Sequence, residues 1–185
     1  MIREFLRILL WESFQNVAPI LGFVYATYQW MQDRKKVALA VIVVSTVIGS
    51  LAISVTEPLI YGEPATFAWG VDTLVNLVIF TILAIAVMLY TSQPRRGLGW
   101  DLAVSLGSGV IVTVGQALAD PFSALAIAAH IVSMSVSFFV FLRCARWAIR
   151  IPEDKVVLGR AWLINLLGSA VIVILDYGHL ILGME

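Results

Sequence analysis

VALAVIVVSTVIGSLAISVT, residues 37–56, runs twenty residues without a charge, begins directly after Lys35-Lys36 and stops at Glu57-Pro58. About 20 apolar residues are what a helix needs to cross roughly 30 Å of hydrocarbon. In lipid the backbone satisfies its N–H and C=O groups only within a helix or a closed barrel. The stretch lacks the dyad alternation of barrel strands, so it reads as a membrane-spanning helix.

Working outward, five further segments have the same character, giving spans over about 9–31, 37–56, 67–91, 100–119, 123–147 and 157–182. Short loops between them carry most of the charge, and no linker or soluble domain intervenes. The whole chain, 1–185, is therefore expected to form a single all-α, polytopic membrane domain of six helices. Composition agrees: 61% of residues are apolar and 13% charged, and the mean hydropathy is positive, far from a soluble domain of this length. Trp11, Trp30, Trp69, Trp100, Trp147 and Trp162 all fall near span ends, where an amphipathic ring sits at headgroup level.

Twelve basic and twelve acidic residues balance, so net charge gives no reason to expect a nucleic-acid partner; their placement is informative instead. Arg34, Lys35 and Lys36 fill the first loop, Arg95 and Arg96 the third, and Arg143, Arg146, Arg150, Lys155 and Arg160 surround the fifth. By the positive-inside rule these loops are cytoplasmic, which puts both termini outside, in the cell membrane. The second and fourth loops are acidic, and prolines after Glu57 and Asp120 are expected to stop their helices there. Arg3 and Arg7 fall on the wrong side. A short interfacial helix over about 2–9, leading into a span kinked at Pro19, reconciles them. The N-terminus does not read as a signal peptide, because Glu12 interrupts the apolar run and no A-x-A-like cleavage site follows, so it is expected to be retained.

LGSGVIVTV (106–114) and LGSAVIVIL (167–175) match at six of nine positions, and IGSLAISV (48–55) shares the Gly-Ser pair. The pattern suggests three tandem helical hairpins. Its small residues, Gly49, Ser50, Gly107, Ser108, Gly109, Gly115, Gly168, Ser169 and Ala170, are expected to let backbones approach where lipid gives helices no hydrophobic drive to associate. Spans two, four and six should then supply the central contacts.

The polar residues within spans carry the functional reading. Glu12, Gln15 or Asn16, Pro19 and Gly22 recur at helical spacing and form a stripe that should face protein or water. Asp72, Asp120, His130, Asp176 and His179 fall at similar outer depth. Together these residues suggest an outward-facing site that binds a small solute or cation or relays protons, in a small transporter or solute-binding membrane subunit. Glu12 would accept the proton or cation, Gln15 and Asn16 would hydrogen-bond solute, and Pro19 with Gly22 would permit local helix opening. The bland alternative has Glu12 capping a helix start or pairing with Arg7, and the histidines bonding to neighbouring helices. The competing class is a non-transporting subunit of a larger membrane assembly holding quinone, pigment or haem, the last ligated by His130 and His179.

Arg143, Arg146 and Arg150 follow an i, i+3, i+7 pattern and define a basic face for anionic lipid or a partner subunit, and so short a chain suits a homo-oligomer or a partnered subunit. Cys144 is the single cysteine and excludes an intrachain disulfide. No G-x-S-x-G, P-loop, H-E-x-x-H or cysteine pair occurs, so enzymatic readings lack a foothold.

Overall fold

The computed structural model describes residues 2–60, 71–93, 97–119, 124–150 and 153–177. Within them lie six helices: α1 (Ile2–Met31), α2 (Lys35–Ile60), α3 (Val71–Thr91), α4 (Leu98–Ala119), α5 (Ala124–Ala148) and α6 (Asp154–Asp176). No strand occurs among the described residues, so the all-helical expectation holds. Each helix packs on its chain neighbours, α6 returns onto α1 to close a ring, and α3 also touches α1 and α5.

Among the described residues four helices are long and apolar enough to cross a membrane: α2, α4 over Leu98–Gly115, α5 over Ile127–Ala148 and α6 over Asp154–Leu175. Their outer faces carry large apolar side chains, such as Val43, Val44 and Val47 on α2 and Leu102, Leu106 and Val110 on α4. Continuous apolar faces of this kind are a liability in water and are at home in hydrocarbon. In α3 the apolar stretch found is shorter, Leu77–Thr91. Helix α1 is outside the four because Glu12, Gln15 and Asn16 interrupt its apolar run.

That least apolar helix nevertheless makes the most extensive contacts in the bundle. It packs against α2 most extensively and then α6, with a smaller contact to α3. Its buried residues include Glu12, Gln15, Thr27 and Gln29 beside Phe23, Val24 and Tyr28. The expectation that spans two, four and six supply the central contacts is thus corrected: the main contacts are those of α1 with α2 and α6 and of α4 with α5. The reason lies in small residues on facing helices. A Cβ on Gly22 would overlap the Cβ of Ser45, and one on Gly49 would lie 2.5 Å from Pro19 Cγ. On the other side of the ring, a Cβ on Gly109 would come within 2.8 Å of Ser135 N. Gly107 and Gly168 have nothing within 4 Å of a Cβ, so they do not serve close packing as expected. What the Gly-Ser pairs share is the serine: Ser50, Ser108 and Ser169 are all buried.

The main apolar core, including Phe23, Ile42, Met88, Leu142, Val157 and Ile164, fills the half of the bundle nearest the basic loops. A separate small cluster, Ile8, Ile60 and Val173, fills the other end. The first loop turns through a left-handed residue, Asp33, at φ 61°. Arg34 N bonds to Gln29 O at 3.0 Å and Asp33 N to Trp30 O at 3.1 Å. This is the Schellman arrangement, with aspartate where glycine is usual.

Two expectations about helix ends are corrected. Helix α1 is continuous from Ile2 to Met31 with Pro19 inside it, so residues 2–9 are not a separate interfacial helix. Helix α2 continues through Pro58 to Ile60, so that proline does not stop it. Arg7 accounts for the extra residues: its Nη1 donates to Leu59 O and its Nη2 to Ile60 O, the latter at 2.7 Å. A guanidinium there satisfies orphan carbonyls and sits at the end of a helix that favours positive charge. Glu4 pairs with Arg7 across one turn, which holds the Glu4 carboxyl below the usual carboxylate range. Replacing Arg7 by glutamine is expected to loosen the last turn of α2 by about 1 kcal/mol, seen as roughly fivefold faster amide exchange over residues 55–60; unchanged exchange there would contradict the cap.

Candidate functional site

Glu12 is 3% exposed, one helical turn inward of Ile8 on α1. Because i, i+3 and i+4 share a helix face, Gln15 and Asn16 both reach its carboxylate. Gln15 Nε2 donates to Glu12 Oε2 and Asn16 Nδ2 to Oε1, each at 2.6 Å. Asn16 Nδ2 also lies 2.9 Å from the Glu12 carbonyl. From α2, Thr56 Oγ1 approaches Gln15 Oε1 at 2.6 Å and Ala52 O at 2.9 Å, its single proton serving one acceptor at a time. The result is a chain of polar groups, Thr56–Gln15–Glu12–Asn16, enclosed between two helices. Charge-assisted amide bonds of this length are strong, and they fix the carboxylate's position. Arg7 directs its donors to Glu4, Leu59 and Ile60.

Helix α6 covers the neighbouring face. Asn165 is fully buried, and its Nδ2 donates to Ser13 O at 3.0 Å. Ile8, Ile60 and Val173 pack together one turn further toward the helix ends, closing over the polar group on that side.

The structure thus brings together Glu12, Gln15 and Asn16. His130 is half-buried on α5. The side chains of Asp72 and Asp176, and Asp120 and His179 entirely, lie outside the described residues, as therefore does the His130–His179 haem pairing. Among the described residues no group of three or more His, Cys, Asp or Glu side chains is placed to hold a metal ion.

Sequence reasoning missed Thr56, because the register of α1 on α2 is set by packing. With Gly22 against Ser45 and Pro19 against Gly49, stepping one turn along each antiparallel helix leads to Gln15 opposite the Ala52–Thr56 turn.

A second polar cluster occupies the opposite end. Asp101 of α4 is fully buried; its Oδ1 accepts from Tyr90 OH and from Arg146 Nη1, both at 2.7 Å, and its Oδ2 from Arg143 Nη1 at 3.2 Å. The Arg146 guanidinium also stacks over the Tyr90 ring, 4.9 Å from its centroid. Of the three arginines expected on one exposed face, Arg146 therefore turns inward, 8% exposed, whereas Arg143 is half-exposed at the rim and Arg150 exposed. Nearby, Arg160 donates to Trp147 O and lies over that ring. Tyr28, Gln32, Arg34, Glu153, Asp154 and Lys155 line a shallow groove of about 500 Å³, so the first and fifth loops share this end.

These features define a class: an all-helical protein with membrane-length apolar helices, a buried carboxylate–amide group near one end and a buried ion cluster near the other. Comparison with protein-family models, with curated proteins and with solved structures returns no match.

Proposed function

We propose that the chain is a six-span transporter or solute-binding subunit of the cell membrane, with both termini outside, and that Glu12 is its proton- or cation-accepting group. The observation that carries this reading is a buried ionisable side chain, Glu12, with both carboxylate oxygens held by amides. Intramembrane carboxylates are costly, and they recur on proton and ion pathways. Counting α1 as a span is supported by its packing on α2 and α6 and by the burial of Glu12 and Gln15, which therefore need no lipid contact. Counting α3 is supported by its 21 residues, about 31 Å of helix.

In this reading Gln15 and Asn16 exchange their bonds to Glu12 for bonds to solute, and Thr56 follows Gln15. Asp72, Asp120, His130, Asp176 and His179 contribute from the same outer end. Entry requires Ile8, Ile60 and Val173 to part, with the Arg7 contact to α2 acting as the strap. Pro19 and Gly22 serve close packing on α2 rather than local opening. At the inner surface Arg143 and Arg150 meet anionic lipid headgroups.

The test is proton flux in proteoliposomes containing a pH-sensitive dye, driven by a potassium diffusion potential. Replacing Glu12 by glutamine, or Asp176 by asparagine, is expected to lower flux about tenfold while leaving expression intact. Flux equal to that of the unaltered protein in both variants would defeat the assignment.

A further inference from the structure

Three buried oxygens on the packed helices α1 and α6 have no hydrogen-bond partner: Ser13 Oγ, Asn165 Oδ1 and Ser169 Oγ. Asn165 and Ser169 are both fully buried. They lie four residues apart and so share one face of α6. The bond from Asn165 Nδ2 to Ser13 O, 3.0 Å long, sets Ser13 beside Asn165. That bond also fixes the amide's orientation, since the Ser13 carbonyl requires the nitrogen and leaves Oδ1 turned away from it. Native proteins rarely leave such groups unmet, because a buried polar atom without a partner forfeits its hydration.

We propose that this seam is a binding site for a water molecule, held by Asn165 Oδ1, Ser13 Oγ and Ser169 Oγ. The chemistry selects it. Asn165 Oδ1 only accepts, whereas the hydroxyls each donate and accept; the three do not satisfy one another directly. A single water donates to the amide oxygen and exchanges bonds with both hydroxyls, reaching the three partners common for buried waters. All three side chains are neutral, so the site matches a neutral ligand.

Ser13 directly follows Glu12 in the chain, so the bound water sits beside the carboxylate's own turn of α1 and can carry a proton towards it. That consequence rests on the proposed role of Glu12; the site itself does not, and its test reads stability, not flux.

The experiment compares melting temperatures in detergent for the unaltered protein, Ser13→Ala, Ser169→Ala and the double variant. Alanine is the better helix former, so both substitutions raise the melting temperature if the seam is dry. With a shared water each single variant is expected to fall by about 2–4 °C. The double variant should fall by less than the sum, because the second substitution removes bonds to a water already weakened. A rise or no change in the single variants, or strictly additive losses, would overturn the proposal.

Discussion

Replacing Asp101 by asparagine is expected to lower the melting temperature by on the order of 10 °C. Asp101 is fully buried and receives Tyr90, Arg146 and Arg143 from the two flanking helices. Arg146 is itself buried; only its Nη1 reaches the carboxylate, and its Nε and Nη2 make no hydrogen bond. Removing the carboxylate leaves a guanidinium enclosed without its counter-charge, which costs about 3–5 kcal/mol in comparable buried pairs. For a chain of this size each kcal/mol moves the midpoint by about 2–4 °C. The asymmetry of buried pairs gives a sharper version. Replacing both partners, Asp101→Leu with Arg146→Met, should recover most of the loss, because the charge is removed along with its partner. Arg143→Gln should cost no more than about 1 kcal/mol, since that side chain is half-exposed. Size-exclusion profiles after graded heating would read all three variants. An Asp101→Asn protein as heat-resistant as its parent would contradict the cluster.

Enlarging either glycine at the α1–α2 contact is the second large effect. A Cβ on Gly22 would overlap Ser45 Cβ, and on Gly49 it would press on Pro19. Neither neighbour is a flexible chain end, so the helices must separate. Overpacking of this kind costs about 1–3 kcal/mol for one methyl group and more for a branched side chain. Gly22→Ala is expected to be clearly destabilised and Gly22→Val not to accumulate as folded protein. Exchanging the two residues, Gly22→Ala with Ser45→Gly, returns the missing space and should restore folding. Gly107→Ala and Gly168→Ala are the controls. Nothing lies near a Cβ at either, so the gain in helix propensity, up to about 1 kcal/mol, should leave them neutral or slightly more stable. If Gly107→Ala proved as harmful as Gly22→Ala, the pairing of α1 with α2 would be wrong.

The sequence carried the class because hydrocarbon imposes a length and a composition that stretches such as 37–56 display openly. It placed helix ends less well. Lys35 and Lys36, like Asp154 and Lys155, belong to helical turns, yet a reading by hydropathy assigns charged residues to loops. Pro58 misled for another reason: a distant side chain, Arg7, satisfies the carbonyls beyond it. The Glu12–Gln15–Asn16 stripe was legible because its spacing is local to one helix. Asp101 with Arg146 was not, since forty-five positions separate them and the regular arginine spacing suggested one outward face. An acid at the end of the bundle where the basic residues gather was the available clue, for a buried carboxylate there needs a base. Likewise the Gly-Ser motif marked real inward positions, but through its serines, while two of its glycines face open space.

The central claim is that α1 crosses the membrane and carries Glu12 into it, although it is more polar than the four helices that pass on length and composition. Impermeant-maleimide labelling tests this most directly, using single-cysteine variants in a Cys144→Ser background. Arg3→Cys should react in intact cells, whereas Lys36→Cys and Lys155→Cys should react only after the membrane is opened. Labelling of Arg3→Cys and Lys36→Cys from the same side would show that α1 does not cross.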